Sequence, residues 1–381
     1  MQKVRRNSIQ KLVLAAALGA VLGPGFSSSV FAEDTTSRSY IVDLNSKTVT
    51  TLGGFNSLAT SINAAGQVAG NFETASGAIH AFITGPNGVG FTDIGTLGGP
   101  YIIPYGINDT GQVAGYFDTA SGKTNAFITG PNGAGMTELG TLGGENSYAY
   151  GINGAGRVVG YSDTATPGAD HAFITGPNGM GMTDLGTLGG PTSLASGINA
   201  AGQVVGDSDT HTANGDQRHA FITGPNGVGM TDLGTLGGSY SSAYGINATG
   251  QVVGFSSTAA SGDGHVFITG PNGVGMTDLG TLGGSYSPAY GINDAGQLVG
   301  AFSMGHSYYH AFATGPDGVG FTDLNSLVSV PGISQAFAIN DHGQVVVVES
   351  IFSSIPEPET YALLLAGLGL IGIMVRRRKP A

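Results

Sequence analysis

Histidine recurs at positions 80, 171, 219, 265 and 310, and acids recur at Asp93, Glu138, Asp184, Asp232, Asp278 and Asp323. A ring of imidazoles invites a metal ion, and repeated carboxylates invite glycoside hydrolysis. Ligation, however, needs three or four donors converging within ~2 Å of one ion, which equivalent positions in successive repeats do not supply. Hydrolysis needs two carboxyls roughly 5 to 10 Å apart and in different environments. One acid copied into nearly every repeat fits a recurring hydrogen bond to a strand or turn better than a differentiated catalytic group.

The singular residues lie in the connections between repeats. Asp207 to Asp216 is rich in oxygen donors but departs from a calcium loop, with Thr212 at the tight-turn glycine position and Arg218 at the bidentate glutamate position. Glu73, Asp118, Asp163 and Asp209 occupy matching positions in four repeats. With Asp207 and Asp216 they are the candidate rim contacts for a cation or for glycan hydroxyls. Tyr101, His211, Arg218, His306, Tyr308 and Tyr309 are the single-copy polar groups that an enzyme would have to gather in one pocket. No phosphate-cradling loop, His-Glu-x-x-His, dinucleotide fingerprint or nucleophile elbow is present, so the sequence assigns no catalytic residue, no metal and no cofactor.

The elements that position these groups are set by an unusual composition. Of 381 residues 68 are glycine, without the every-third-residue period of collagen, while charged residues are 10% and hydrophobic ones 40%. Such a chain turns often and buries a core. Cysteine is absent, which excludes disulfides and thiolate chemistry. Between Glu33 and Ile355, 23 acids face 5 cations, so the body repels phosphate backbones and nucleic acid is excluded as a partner.

Thr-Leu-Gly-Gly occurs six times, with its first glycine at 53, 98, 143, 189, 237 and 283. A period in the mid-forties suits propeller blades, and the density of Gly, Pro and Asn excludes helical repeats of that length. One unit divides into four short strands, near Tyr148 to Ile152, Arg157 to Ser162, Ala172 to Thr175 and Met182 to Leu185. Asn153-Gly154-Ala155-Gly156 supplies a type I turn, and Gly176-Pro177-Asn178-Gly179 pairs a fixed proline φ with residues that tolerate positive φ.

Counting the two hairpins predicts how the body closes. The first, Ile-Asn-x-x-Gly, appears seven times with Asn at 63, 108, 153, 199, 247, 293 and 340; the second appears six times, with Phe at 82, 127, 173, 221, 267 and 312. The missing half corresponds to Tyr40 to Leu44 and Thr48 to Leu52 near the N-terminus. The expected fold is therefore all-β, a β-propeller of seven four-stranded blades whose last blade takes two strands from each end. An open β-solenoid is the alternative.

Both ends carry targeting chemistry. Lys3, Arg5, Arg6 and Lys11 precede an apolar core from Leu12 to Leu22, and Val30-Phe31-Ala32 offers cleavage between Ala32 and Glu33, so residues 1–32 read as a signal peptide with an N-terminal helix. Residues 355–381 hold Pro356-Glu357-Pro358, an apolar run from Tyr361 to Val375, and the cluster Arg376, Arg377, Arg378 and Lys379. Fifteen residues at ~1.5 Å each fall short of a ~30 Å hydrocarbon core, a gap that flanking residues and local thinning can close. A C-terminal transmembrane helix with its cations cytoplasmic is expected.

This tail resembles the PEP-CTERM sorting signal of Gram-negative bacteria. The resemblance implies recognition by an exosortase-type enzyme, cleavage near Pro-Glu-Pro, an inner-membrane intermediate, and delivery to the cell surface or matrix. The body, residues 33–354, resembles the HAF-repeat family of extracellular proteins through His80-Ala81-Phe82, His171-Ala172-Phe173, His219-Ala220-Phe221 and His310-Ala311-Phe312, with Asn125 and Val266 departing from the pattern. That family implies an extracellular repeat protein and supplies no catalytic residue. The expected function is a secreted, surface-sorted, non-catalytic scaffold or binding module. Its expected partners are signal peptidase, the exosortase-type enzyme, and exopolysaccharide or other surface proteins; a polysaccharide-active propeller enzyme is the alternative.

Overall fold

The asparagine that opens each first hairpin determines how that hairpin turns. In the turn after Ile152, the Asn153 Oδ1 accepts from the backbone N–H groups of Ala155 and Arg157, both at 3.1 Å. Gly156, at φ +70°, then donates to the Asn153 carbonyl at 2.9 Å. Glycine occupies this left-handed position because a Cβ there is strained. The strands that follow are those of a computed structural model, which describes residues 35–352 except 54–55, 213–214, 260–263, 283, 285, 305–308 and 331. The expected signal peptide, the C-terminal tail, and His306 and Tyr308 lie outside the described residues.

The repeat containing this turn folds as Gly143–Ile152, Val158–Thr164, Asp170–Thr175 and Met182–Gly186, antiparallel and in that order across one sheet. The first strand begins five residues earlier than the sequence predicts, because the Thr-Leu-Gly-Gly connection runs alongside the second strand. There the Leu142 N–H donates to Ser162 Oγ at 2.9 Å. The same order recurs, giving five four-stranded sheets and one eight-stranded sheet. The latter is two four-stranded sets joined by a parallel bridge at Arg218 and Tyr240.

One four-stranded sheet draws on both ends of the chain. Its order is Val49–Leu52, Thr35–Asp43, Gln344–Phe352 and Ile333–Ile339. The two middle strands pair antiparallel over their full length, from Thr35 opposite Phe352 to Asp43 opposite Gln344. Both ends of the described chain therefore leave from the edge opposite the Asn-x-x-Gly turns. A four-residue helix, Leu324–Leu327, capped by Asp323, precedes this sheet and was not foreseen from the sequence.

A β-bulge interrupts every first strand, as between Ala149 and Gly151. It brings the first strand so close to the second that a Cβ on Gly160 would sit 1.8 Å from the Tyr148 carbonyl oxygen. This contact explains the glycine of the Val-Val-Gly motif. The core lies between neighbouring sheets rather than within one. Phe173, for example, is fully buried against Ala114, Ala126 and Ile128 of the preceding repeat. Burial on both faces is why the apolar runs of the second and third strands do not alternate.

The sheets are also linked at the turns. Each hairpin asparagine donates its Nδ2 to the carbonyl of the next: Asn63 to Asn108, then to Asn153, Asn199, Asn247, Asn293 and Asn340, and from Asn340 back to Asn63, at 3.0 to 3.2 Å. The circle of seven is closed. The Gly-Pro-Asn-Gly turns dock onto it, with the Gly179 N–H donating to the Gly156 carbonyl at 2.9 Å. Asn178 there has φ 53°, the positive value anticipated for that turn.

Candidate functional site

The first strands place one residue each at a common level, two positions before the isoleucine of Ile-Asn. Five of these are aromatic, Tyr105, Tyr150, Tyr244, Tyr290 and Phe337, and two are small and hydroxylated, Thr60 and Ser196. Below them lie Ser61, Ala338 and five glycines, then the isoleucines, then the asparagine circle. Together they surround a cavity of 260 Å³ whose lining comes from all seven first strands and contains no charged residue. Its size is near the lower end of ordinary ligand pockets, ~300 Å³.

The aromatic level is packed edge to face and by stacking. Tyr105 meets Tyr150 at 4.9 Å and 79°, and Tyr290 stacks on Phe337 at 5.8 Å and 22°. Burial raises the phenols of Tyr105, Tyr150, Tyr244 and Tyr290 above their ordinary value; neighbouring tyrosines add to this for Tyr150, Tyr244 and Tyr290, while a hydrogen bond with Tyr116 opposes it for Tyr105. These hydroxyls are therefore neutral donors and acceptors, unsuited to act as bases. The hydroxyl oxygens of Ser61, Tyr105 and Tyr244 are buried in the protein and do not face the cavity, those of Tyr105 and Tyr244 lying beside the hydroxyls of Tyr116 and Tyr286.

The recurring histidines and acids of the sequence are brought together elsewhere, across the third and fourth strands. His80 meets Asp93, His171 Asp184, His219 Asp232 and His310 Asp323 at 2.8 Å, and His265 meets Asp278 at 2.9 Å. Where the histidine is replaced, Asn125 donates to Glu138 at 2.5 Å, so the longer acid compensates for the shorter partner. The second oxygen of Asp184 accepts the Gly186 N–H at 2.7 Å and shapes the exit of the fourth strand. Asp93, Asp232 and Asp278 repeat this bond.

Of the rim acids, Glu73, Asp118, Asp163 and Asp209 lie in four different repeats, with Asp207 and Asp216 in the repeat of Asp209. Glu73 accepts from Asn56 Nδ2 at 3.1 Å, Asp118 from Thr124 Oγ1 at 2.9 Å, and Asp163 from Asn146 Nδ2 at 2.8 Å. Asp209 accepts from Thr192 Oγ1 at 2.5 Å and meets Arg218 Nη1 at 3.2 Å. Asp207 is buried, bonded to Arg218 Nε and accepting from Ser242 Oγ at 2.8 Å. Burial raises its carboxyl, with Arg218 and Ser242 opposing. It stands where neighbouring repeats carry Tyr116, Tyr161 and Phe255. In place of a calcium-loop course, Thr210, His211 and Thr212 pair with Gln217, Asp216 and Gly215 as the second and third strands extend; the Asp216 side chain lies outside the described part.

Among the described residues no three His, Asp or Glu gather as a metal would require. Of the single-copy groups, Arg218 bonds Asp207, Tyr309 packs near Tyr290 and Ala301, Tyr101 packs near Ile103, and His211 lies exposed on the hairpin extension. None of the four lines the central cavity. The sequence reading missed the cavity residues, although an aromatic two positions ahead of Ile-Asn in five of seven hairpins was the available signal.

Two kinds of likeness bear on this architecture. Residues 354–379 match the PEP-CTERM protein-sorting motif, which marks the chain as exported and surface-sorted through a membrane-anchored intermediate recognised by exosortase. No helix among the described residues is long and apolar enough to cross a membrane, and the tail lies outside them. No curated protein matches the chain.

The structural likenesses are of fold. The β-propeller domain of the Trilobed protease from Pyrococcus furiosus, described as having an open velcro topology, is similar at TM-score 0.51 and 10% identity, over 77% of this chain and 92% of that one. A puromycin hydrolase is similar at TM-score 0.50 and 12% identity, over 79% of this chain but 52% of its own. A putative TolB from Agrobacterium tumefaciens aligns at TM-score 0.46 and 12% identity, over 84% of this chain and 99% of that one. The body is thus an all-β, propeller-like protein.

Proposed function

We propose that the chain is a HAF-repeat protein whose body is a seven-bladed propeller, closed by two strands from each end, and that it acts after export as a non-catalytic binding module associated with exopolysaccharide. The closed circle of seven asparagines supports the blade count. The observation that carries the function is the central cavity: its lining comes from all seven first strands, yet it holds no carboxylate, imidazole or cation. Glycoside hydrolysis needs two carboxyls across the scissile bond, and the repeated acids are engaged at the outer strands. Signal peptidase at Ala32 and Glu33, and exosortase-type processing near Pro356, Glu357 and Pro358, with Arg376, Arg377, Arg378 and Lys379 as the stop, complete the route. The rim acids remain candidate weak contacts for cations or glycan hydroxyls.

The test is retention of the surface-released protein on native exopolysaccharide, with polymer length followed over time. Retention without shortening supports a binding module. Shortening of the polymer would restore the enzyme reading, and lack of retention would remove the matrix association.

A further inference from the structure

We infer that Asp207, Arg218 and Ser242 form a key that sets which neighbour the Asn199 repeat docks against, so that nearly identical repeats close in one order. The packing between repeats poses the problem that the key answers. Val159, Ala172 and Ile174 of the Asn153 repeat pack on Ala195, Val204 and Phe221 of the Asn199 repeat. At the next seam Val205, Ala220 and Ile222 pack on Ala243, Val252 and Phe267, the same types in the same order. The asparagine link is also alike, 3.2 Å at the first seam and 3.1 Å at the second. Burial of these residues therefore drives docking without deciding which repeat belongs beside which, and misassembly is a characteristic failure of repeat chains.

The seam between the Asn199 and Asn247 repeats is distinguished by one buried polar set. One oxygen of Asp207 is bonded to Arg218 Nε of its own repeat, and the other accepts from Ser242 Oγ across the seam at 2.8 Å. Both Asp207 and Ser242 are buried. Arg218 Nη1 donates to Asp209 at 3.2 Å and to Thr192 Oγ1 at 3.1 Å, which fixes the guanidinium within its own repeat. In this set Ser242 alone comes from the neighbour.

No other repeat combines these types. By strand register the place of Asp207 is taken elsewhere by Asn71, Tyr116, Tyr161, Phe255, Ala301 and Val348. The place of Ser242 is taken by Leu58, Ile103, Leu194 and Pro288 in four repeats. A first strand presenting any of these four would leave an Asp207 oxygen buried without its donor, a loss that is greater for a charged group than for a neutral one. Tyr148 and Gln335, at that place in the other two, bring longer side chains to a space that serine fills. Conversely, a wrong second strand would set the ring of Tyr116 or Tyr161 beside Ser242 in place of a carboxylate. A buried ion pair is often no more stabilising than apolar residues of similar volume. A charged set kept at one seam therefore fits selection among neighbours better than added stability.

The experiment refolds the processed, surface-released protein from urea by dilution. Size-exclusion chromatography and near-ultraviolet circular dichroism give the ratio of misassembled chains to native monomer. Asp207→Phe with Arg218→Thr removes the key and keeps the seam filled. Its urea midpoint should stay near the parent's while the ratio rises about 5–30-fold, the discrimination that a modest free-energy difference provides. Asn199→Ala weakens the same seam through a link that every repeat shares, so it should lower the midpoint and leave the ratio near the parent's. Ser242→Ala keeps the ion pair and removes only the neighbour's donor; it should raise the ratio whether or not the double variant keeps the parent midpoint. An unchanged ratio in both the double variant and Ser242→Ala would overturn the inference. So would a ratio that follows the midpoint alone, with Asn199→Ala misassembling as much as the key variants.

Discussion

Replacing Asn199 by alanine tests whether the asparagine circle holds the repeats together. Asn199 is 5% exposed; its Oδ1 accepts the Gln203 N–H at 3.0 Å, and its Nδ2 donates to the Asn247 carbonyl at 3.1 Å and to Gln203 Oε1 at 2.8 Å. Alanine leaves the Gln203 N–H and Oε1 without these partners, while the Asn247 carbonyl keeps the Gly250 N–H at 3.0 Å. At about 1–3 kcal/mol for each buried group left unsatisfied, the loss is about 2–6 kcal/mol. Asn199→Ser separates the terms, since its hydroxyl caps the turn N–H but is too short to reach the next repeat. It should lie between alanine and the parent. Urea unfolding followed by far-ultraviolet circular dichroism measures both, through the shift of the midpoint at constant slope. A loss below about 0.5 kcal/mol for Asn199→Ala, the size of an ordinary surface substitution, would refute the reasoning.

Arg218→Met should cost about 3–5 kcal/mol by leaving Asp207 buried without its partner, and Asp207→Phe with Arg218→Thr, the types found at these places in the repeats of Phe255 and Thr124, should recover most of it in the same unfolding assay. Phe173→Ala should cost about 3–5 kcal/mol, because a fully buried ring between two sheets is removed; a shift below about 1 kcal/mol would contradict packing between repeats. Asn125→His or Glu138→Asp alone should be slightly destabilising, whereas the pair together recreates the His–Asp contact of the other repeats. A double-mutant cycle should give a coupling of about 0.2–1 kcal/mol, and zero coupling would deny the cross-strand contact. Mass spectrometry of the surface-released protein should show a C-terminus near Pro356 in a sorting-competent host and an intact tail in a host without the sorting enzyme.

The turns and strands were legible because their causes are local. Asn153 and Gly156 are three residues apart and determine one hairpin between them, and Gly-Pro-Asn-Gly fixes the other by proline φ and a left-handed asparagine. The use of both chain ends in one sheet could be read from counting, since seven first hairpins against six second ones leave Tyr40 to Leu52 to fill the gap. What stayed hidden depends on distant partners. Asn153 is a turn residue by sequence, but its Nδ2 reaches a carbonyl 46 residues away. Tyr150 is one aromatic in a strand until six other strands surround the same space. Asp207 looked like a loop oxygen donor because nothing nearby in sequence announces that Arg218, across the hairpin, turns back onto it. His171 and Asp184 were legible separately as structural groups, while their pairing needed the register of two strands.

The joining of the two chain ends in one sheet is the claim on which the rest depends, and a melt of the chain lacking residues 37–52 tests it most directly. That segment buries Tyr40, Ile41, Val42 and Leu52, exposed by 7, 3, 0 and 1%. At about 1.5–3 kcal/mol for each buried side chain, its removal forfeits about 6–12 kcal/mol, comparable with the whole stability of a typical domain. The account predicts that the cooperative transition disappears or falls by tens of degrees. A transition at the parent temperature, with unchanged sharpness, would contradict it.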